Sequence, residues 1–130
     1  MKRALLLLFA IALATGLLGC GGGGDDSSGS TSTATLSSCD INGKQQNLGA
    51  SYVTTIDVAK VTCSQAEKVV MAYHQCRAEN GGAGGTCDAP VQGFTCTEGP
   101  RQSVPGVQFN VTADCRRGDA EIKSSYTQNF

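Results

Sequence analysis

The sequence predicts an α+β domain in which one helix packs on an antiparallel sheet of three to five strands and disulfides staple the whole. Three observations carry this. Six of the seven cysteines fall in the stretch from residue 39 to residue 130, the density of a disulfide framework. Ala66, Val69, Val70, Tyr73 and Cys76 recur at three- and four-residue steps, the period of a helix with one apolar face. Val107, Phe109, Val111, Ala113 and Cys115 alternate with Gln108, Asn110, Thr112 and Asp114, the period of a strand with one buried face.

The chain opens with Lys2 and Arg3, followed by an uncharged apolar run from Ala4 to Leu18. Positive charge ahead of a short apolar core is the layout of a secretory signal. A membrane-spanning helix takes about 20 apolar residues, and this run stops short at a glycine-rich polar stretch, so cleavage is expected. Leu17-Leu18-Gly19-Cys20 resembles the lipobox of bacterial lipoproteins. That resemblance implies a signal at 1–19, a diacylglyceryl group on the Cys20 sulfur and a mature chain that begins there. Two or more acyl chains, at about 0.8 kcal/mol per buried CH₂, hold a protein to a membrane without any further segment. The alternative is an ordinary secretory signal in which Cys20 is incidental. Gly21 follows the cysteine where an Asp would argue for retention at an inner membrane.

Residues 20–38 read as the lipidated cysteine and a flexible linker, since Gly, Ser and Thr dominate and nothing there builds a core. Such a coil holds the domain at 39–130 roughly 25 Å from the lipid.

Within the domain, Tyr52 to Val58 is rich in β-branched residues and reads as a strand. Ser64 and Glu67 stand at the spacing of a capping box, which starts the helix, and Asn80-Gly81-Gly82 ends it. Val91 to Thr97 reads as a strand with Phe94 and Cys96 on one face. Ser103-Val104-Pro105-Gly106 is the turn before the long strand, and Arg116-Arg117-Gly118-Asp119 the turn after it. Ala120 to Gln128 then returns antiparallel with Ile122 and Tyr126 inward.

Assigning Cys20 to lipid leaves Cys39, Cys63, Cys76, Cys87, Cys96 and Cys115, an even set that predicts three bridges in an oxidising compartment. Cys63 and Cys76 lie about 20 Å apart along one helix and cannot pair with each other. The expected bridges are Cys76 to Cys87, closing the glycine-rich loop, and Cys63 to a strand partner, either Cys96 or Cys115. No Cys-x-x-Cys occurs and His74, the single histidine, has no zinc-module spacing to any cysteine, so no metal site is expected. From residue 39 onward eight Lys and Arg face nine Asp and Glu, which leaves no basic stripe for nucleic acid.

Val61-Thr62-Cys63-Ser64-Gln65-Ala66, Ala72-Tyr73-His74-Gln75-Cys76, Gly93-Phe94-Thr95-Cys96, Phe109 to Gly118 and Tyr126-Thr127-Gln128 together resemble a small exported cysteine-rich domain of actinobacterial secreted proteins and lipoproteins. The resemblance runs from about Cys39 to the C-terminus and rests on cysteine spacing and turn residues. It implies the fold, an exported location and a Gram-positive type of envelope, and it carries over no functional residue.

Few motifs suggest chemistry. His74 is the one candidate histidine base, placed one step off the apolar stripe, and neither a nucleophile elbow nor a companion acid accompanies it; a partly buried helix histidine is expected. Gly81-Gly82-Ala83-Gly84-Gly85 follows a helix where a phosphate cradle opens one, and lacks the Lys-Ser/Thr end, so it reads as a cap and loop. Asp57, Glu67, Glu79, Asp88 and Glu98 are scattered carboxylates with no paired spacing, most of them expected at the solvated surface. Arg117-Gly118-Asp119 spells an adhesion tripeptide, but Gly and Asp are also what the turn favours. Asn110-Val111-Thr112 is formally a glycosylation acceptor but lies in a strand of an apparently bacterial protein, where that reading is empty.

The expectation for function is therefore a non-enzymatic binding or interaction domain without cofactor, anchored by lipid on the outer side of a bacterial membrane in the cell envelope. Its partner is an unknown protein or envelope polymer. The alternative is an inhibitor of an exported protease or muramidase, with the loop 97–106 as its binding loop, because a disulfide-rigid loop loses little entropy on docking.

Overall fold

The computed structural model describes residues 35–130. The leader expected at 1–19, Cys20 and all but the last residues of the expected linker lie outside the described residues.

One helix, α1 (Cys63–Glu79), packs on a six-stranded antiparallel sheet. The strands are β1 (Ser37–Ser38), β2 (Tyr52–Ala59), β3 (Thr95–Glu98), β4 (Gln102–Val104), β5 (Gln108–Arg117) and β6 (Ala120–Asn129). They run in the order β1-β2-β6-β5, and β3 and β4 share the far edge of β5. Opposite β5, β3 takes Ala113 to Arg116 and β4 takes Gln108 to Asn110. The sheet has one strand more than the expected maximum, and the two strands not named from the sequence are short ones, Ser37–Ser38 at one edge and Gln102–Val104 at the other. Ser37 and Ser38, read from composition as the end of the tether, pair with Val58 and Asp57.

The hairpin β5–β6 has the predicted alternation from Phe109 onward, whereas Val107, expected on the inner face, precedes β5 and is exposed. Phe109, Val111, Ala113 and Cys115 face inward, as do Ile122, Ser124 and Tyr126, and Gly118 takes a positive φ of 60° at the turn. In β2 a register shift between Val53 and Thr55 inserts one extra residue, so Thr54 and Thr55 are both exposed. Thr54 then donates its hydroxyl to the carbonyl of Ser125 at 3.0 Å.

Three expectations are corrected. The helix N-cap is Thr62, whose Oγ1 accepts from the Gln65 backbone N–H; Glu67 pairs with Lys44 on a neighbouring loop, so no capping box forms with Ser64. Val91 to Thr97 is not one strand. Gln92 and Gly93 both take positive φ and fold Val91 back on Phe94 through two backbone hydrogen bonds, so the strand begins only at Thr95. Segment 97–106 is half strand, with Glu98 ending β3 and Gln102–Val104 forming β4, so of the turn expected at Ser103-Val104-Pro105-Gly106 only Pro105 and Gly106 lie outside a strand.

The disulfides are Cys39–Cys63, Cys76–Cys87 and Cys96–Cys115. Cys76–Cys87 closes the glycine loop as expected. Cys63 does not reach a strand of the β3–β5 side. It stands at the first residue of α1, beside the segment that leaves β1, and binds Cys39 there; Cys96 and Cys115 face each other directly in the β3–β5 register. Bridges of this number belong to an oxidising, extracytoplasmic compartment. Among the described residues no helix is long and apolar enough to cross a membrane.

Candidate functional site

Two regions gather polar side chains, one on each face of the sheet. The inner one is a charge cluster between α1 and β3. Continuing the helix stripe past Tyr73 by four residues places Arg77 inward, and its guanidinium is only 2% exposed. It is held on every side. Nε donates to the carbonyl of Gly85 at 3.1 Å and lies 2.9 Å from Glu98 Oε1. Nη2 donates to the carbonyl of Ala83 at 3.1 Å, and Nη1 meets His74 Nδ1 at 3.1 Å. The Tyr126 ring lies 4.9 Å from the guanidinium carbon, near enough for a cation–π contact.

Glu98 is the anion at the centre. Its Oε1 accepts hydrogen bonds from the hydroxyls of Tyr73 at 2.7 Å and Tyr126 at 2.5 Å, and its Oε2 accepts from Arg101 Nε at 2.8 Å. Arg101 also donates to the carbonyls of Gly84 and Gly85, and its guanidinium stacks over the Phe109 ring. The glycine loop is thus a carbonyl collar around two guanidinium groups. A Cβ at Gly85 would stand 2.1 Å from the Arg77 carbonyl oxygen, which is why that position carries none. Glu98, expected at the solvated surface, is the most heavily bonded carboxylate of the described residues, a correction that follows from tertiary packing alone.

His74 is buried more deeply than expected. Arginine only donates, so Nδ1 is the acceptor of the Arg77 contact and the proton sits on Nε2. That nitrogen is buried with no hydrogen-bond partner among the described residues, and the ring meets Tyr126 edge-on at 4.4 Å. Gly49 closes over it, so near that a Cβ there would stand 2.7 Å from His74 Cβ. Burial, reinforced by the Arg77 charge and partly opposed by Glu98, holds the imidazole down to about 3, so the ring is neutral at ordinary pH. Burial alone would raise the Glu98 carboxyl; hydrogen bonds from Tyr126, Tyr73 and Arg101, with the Arg77 charge, outweigh it and leave the group below its ordinary value. Burial, then donation to Glu98, pushes both tyrosine hydroxyls well above the usual phenol range. At neutral pH the imidazole and the two phenols are therefore uncharged and the Glu98 carboxylate is ionised.

The outer region is the face of the sheet turned away from α1. Cross-strand pairs run down β5 and β6 in order: Arg116 with Glu121, Asp114 with Lys123, Thr112 with Ser125, Asn110 with Thr127. The first two pairs form a ladder of ion pairs, with Arg116 bridging Asp114 and Glu121. The last two are uncharged. Thr112 Oγ1 and Ser125 Oγ lie 2.9 Å apart, and the Thr127 hydroxyl donates to Asn110 Oδ1 at 2.6 Å. A cleft of about 390 Å³ opens over this uncharged end, bounded by Pro100 and Gln102 on one side and Thr54 on the other.

The residues singled out from sequence are distributed as follows. The six domain cysteines are all bridged. Both charged ends of Arg117-Gly118-Asp119 are engaged: Arg117 stacks on Phe94 and donates to the Gln92 carbonyl, and Asp119 pairs with Lys60. Arg101, in the segment proposed as an inhibitory loop, is turned inward to Glu98, which leaves Val104 and Val107 exposed at the β4–β5 turn. Among the described residues no group of three metal-ligating side chains comes together. Arg77, Glu98 and Arg101 were missed; for Arg77 the signal was its place on the extended helix stripe, and for the other two the sequence carried none. Comparisons with protein-family models, with curated proteins and with solved structures find no match.

Proposed function

We propose that the protein is a non-enzymatic binding module of the bacterial cell envelope, lipidated on Cys20 and held off the membrane by its Gly/Ser/Thr linker. The observation that carries this reading is the engagement of Glu98 by four side chains of the fold itself. Tyr73, Tyr126 and the Arg77 guanidinium converge on Oε1, and Arg101 holds Oε2. His74 has its Nδ1 taken by Arg77 and its unpartnered Nε2 buried, so neither it nor Glu98 is presented to a substrate as a proton shuttle. The cluster is a rivet between helix and sheet, and the reading places the partner on the open face of the sheet. Lipid anchoring and the short leader are supported by the Leu17-Leu18-Gly19-Cys20 motif and by the oxidising compartment that three bridges imply.

Photo-crosslinking on intact cells tests the reading. With the crosslinker at Thr112 on the open face, a discrete adduct is expected, and with it at Met71 on the exposed side of α1, none. Intact mass of the same preparation should show a chain beginning at an acylated Cys20. Absence of adducts from Thr112, or an unacylated product, overturns the respective half of the proposal.

A further inference from the structure

We propose that the uncharged end of the open sheet face binds a neutral polysaccharide, seated across Tyr52, Thr127, Asn110 and Gln102. This rests on the binding-module reading and names its ligand class. The pairing register sets these four residues in one transverse row, one from each of four adjacent strands: Tyr52 opposite Thr127, Thr127 opposite Asn110, Asn110 opposite Gln102. Residues directly opposite in a sheet share a face, and strands about 4.8 Å apart make such a row about 14 Å long, the scale of a short oligosaccharide. A second row of Thr55, Ser125 and Thr112 runs beside it. Between the rows and the Pro100 ring lies the cleft of about 390 Å³.

The chemistry of the row is that of a sugar's own hydroxyls. The Thr127 proton is committed to Asn110 Oδ1, which leaves the Asn110 amide hydrogens and the Thr127 lone pairs for a ligand. Thr112 and Ser125 share one hydrogen bond, so one hydroxyl proton of the pair stays outward. The Gln102 side-chain amide, exposed on β4, adds a donor and an acceptor at the edge. Alternating donors and acceptors of this kind suit vicinal hydroxyls, each of which gives and takes at once. Tyr52, 41% exposed at the end of the row, supplies an aromatic face for the C–H side of a pyranose ring.

Charge selects against acidic ligands. The charged residues on this face, Asp57, Asp114, Arg116, Glu121 and Lys123, stand toward the opposite end, where the last four are joined in ion pairs and Asp57 accepts from the Ser38 hydroxyl. A protein partner is also a poor fit, since interface centres gather several aromatic or apolar anchors and this row holds a single tyrosine. A shallow polar site binds each sugar weakly, and many copies fixed in one membrane plane convert weak sites into retention on a polymer.

The test uses the full acylated protein in detergent, titrated with cellohexaose, chitohexaose and maltohexaose, and with oligogalacturonate as the acidic counterpart. The expected result is saturable binding of at least one neutral hexaose, with NMR shifts at the Asn110 and Gln102 side-chain amides. Asn110→Ala combined with Gln102→Ala should weaken it about tenfold, the loss of roughly two ordinary hydrogen bonds. Tyr52→Ala should weaken it as well, and all three exposed substitutions should leave the urea midpoint in place. Binding of oligogalacturonate alone, shifts confined to other residues, or unchanged affinity in the variants would each overturn the proposal, as would no binding of any hexaose. In that last case a polypeptide adduct from Thr112 on cells would still sustain the binding-module reading with a protein partner.

Discussion

The two faces of one sheet use the same kinds of charge to opposite ends. Outside, Arg116 bridges Asp114 and Glu121, with Lys123 beside them, and the Arg116 side chain is 60% exposed. Inside, Arg77 meets Glu98 with both side chains withdrawn from water, at 2% and 11% exposure. Water solvates and screens the cations of the outer ladder, Arg116 and Lys123, so forming or breaking it changes little. The inner pair has surrendered its hydration, and its stability depends on each partner staying in place. The difference teaches that an ion pair's importance lies in what remains when one member is removed.

Removing Glu98 should therefore produce the largest effect. Glu98→Ala leaves Arg77 and Arg101 facing each other without an anion and strips the acceptor from two buried tyrosine hydroxyls. Breaking a buried pair from one side costs about 3–5 kcal/mol, enough to consume much of the stability of a domain this size. Urea denaturation with the disulfides intact measures it. A loss no larger than that of a surface substitution would erase the distinction between the faces.

How much of this was legible beforehand depends on the distance over which each feature is encoded. The β5–β6 hairpin is local: alternation from Phe109 to Cys115, the Gly118 turn and the return through Ile122 and Tyr126 lie within one stretch of chain. The helix end and the Cys76–Cys87 bridge are local as well, because a loop so short leaves little choice of partner. Cys63 was misassigned because its partner, Cys39, arrives from the other side of β2, and no periodicity reports that approach. The inner cluster was hidden for the same reason. Glu98 sits between a glycine and a threonine in sequence, and only the fold brings Tyr73, Arg77 and Tyr126 to it. Gln92 shows the opposite failure: a turn was written locally, in Gln92-Gly93, but the flanking β-branched and aromatic residues read as continuous strand.

Histidine 74 sharpens the comparison through pH. Its folded-state value of about 3 lies below the roughly 6.5 of an unfolded histidine, so between those values the unfolded chain takes up a proton that the folded one refuses. Stability contributed by the neutral ring is complete above about pH 6.5 and declines as pH falls, by at most about 1.4 kcal/mol per pH unit. Glu98, also held low, acts in the same direction at more acid pH, its contribution being lost as pH falls through its folded value. His74→Asn keeps an acceptor near Nδ1 for Arg77 while removing the titration. Between pH 6.5 and 5 the wild-type urea midpoint should fall with acid and that of His74→Asn should stay level. Parallel slopes would show that the acid response arises elsewhere.

The smallest expected effect is on the outer ladder, and it is the control that gives the others meaning. Arg116→Ala removes the residue that joins Asp114 to Glu121, yet Asp114 is 26% exposed and Glu121, though only 13% exposed, keeps Lys123 at 3.3 Å, so neither carboxylate is stranded without water or a cation. The urea midpoint should be indistinguishable from wild type at low ionic strength and again at 1 M salt, where screening shortens to about 3 Å. Glu98→Ala should keep its deficit at both ionic strengths, because salt does not enter the space between α1 and β3. A ladder variant as damaging as the inner one, or an inner deficit that salt abolishes, would mean that the two faces differ in geometry but not in how they hold charge.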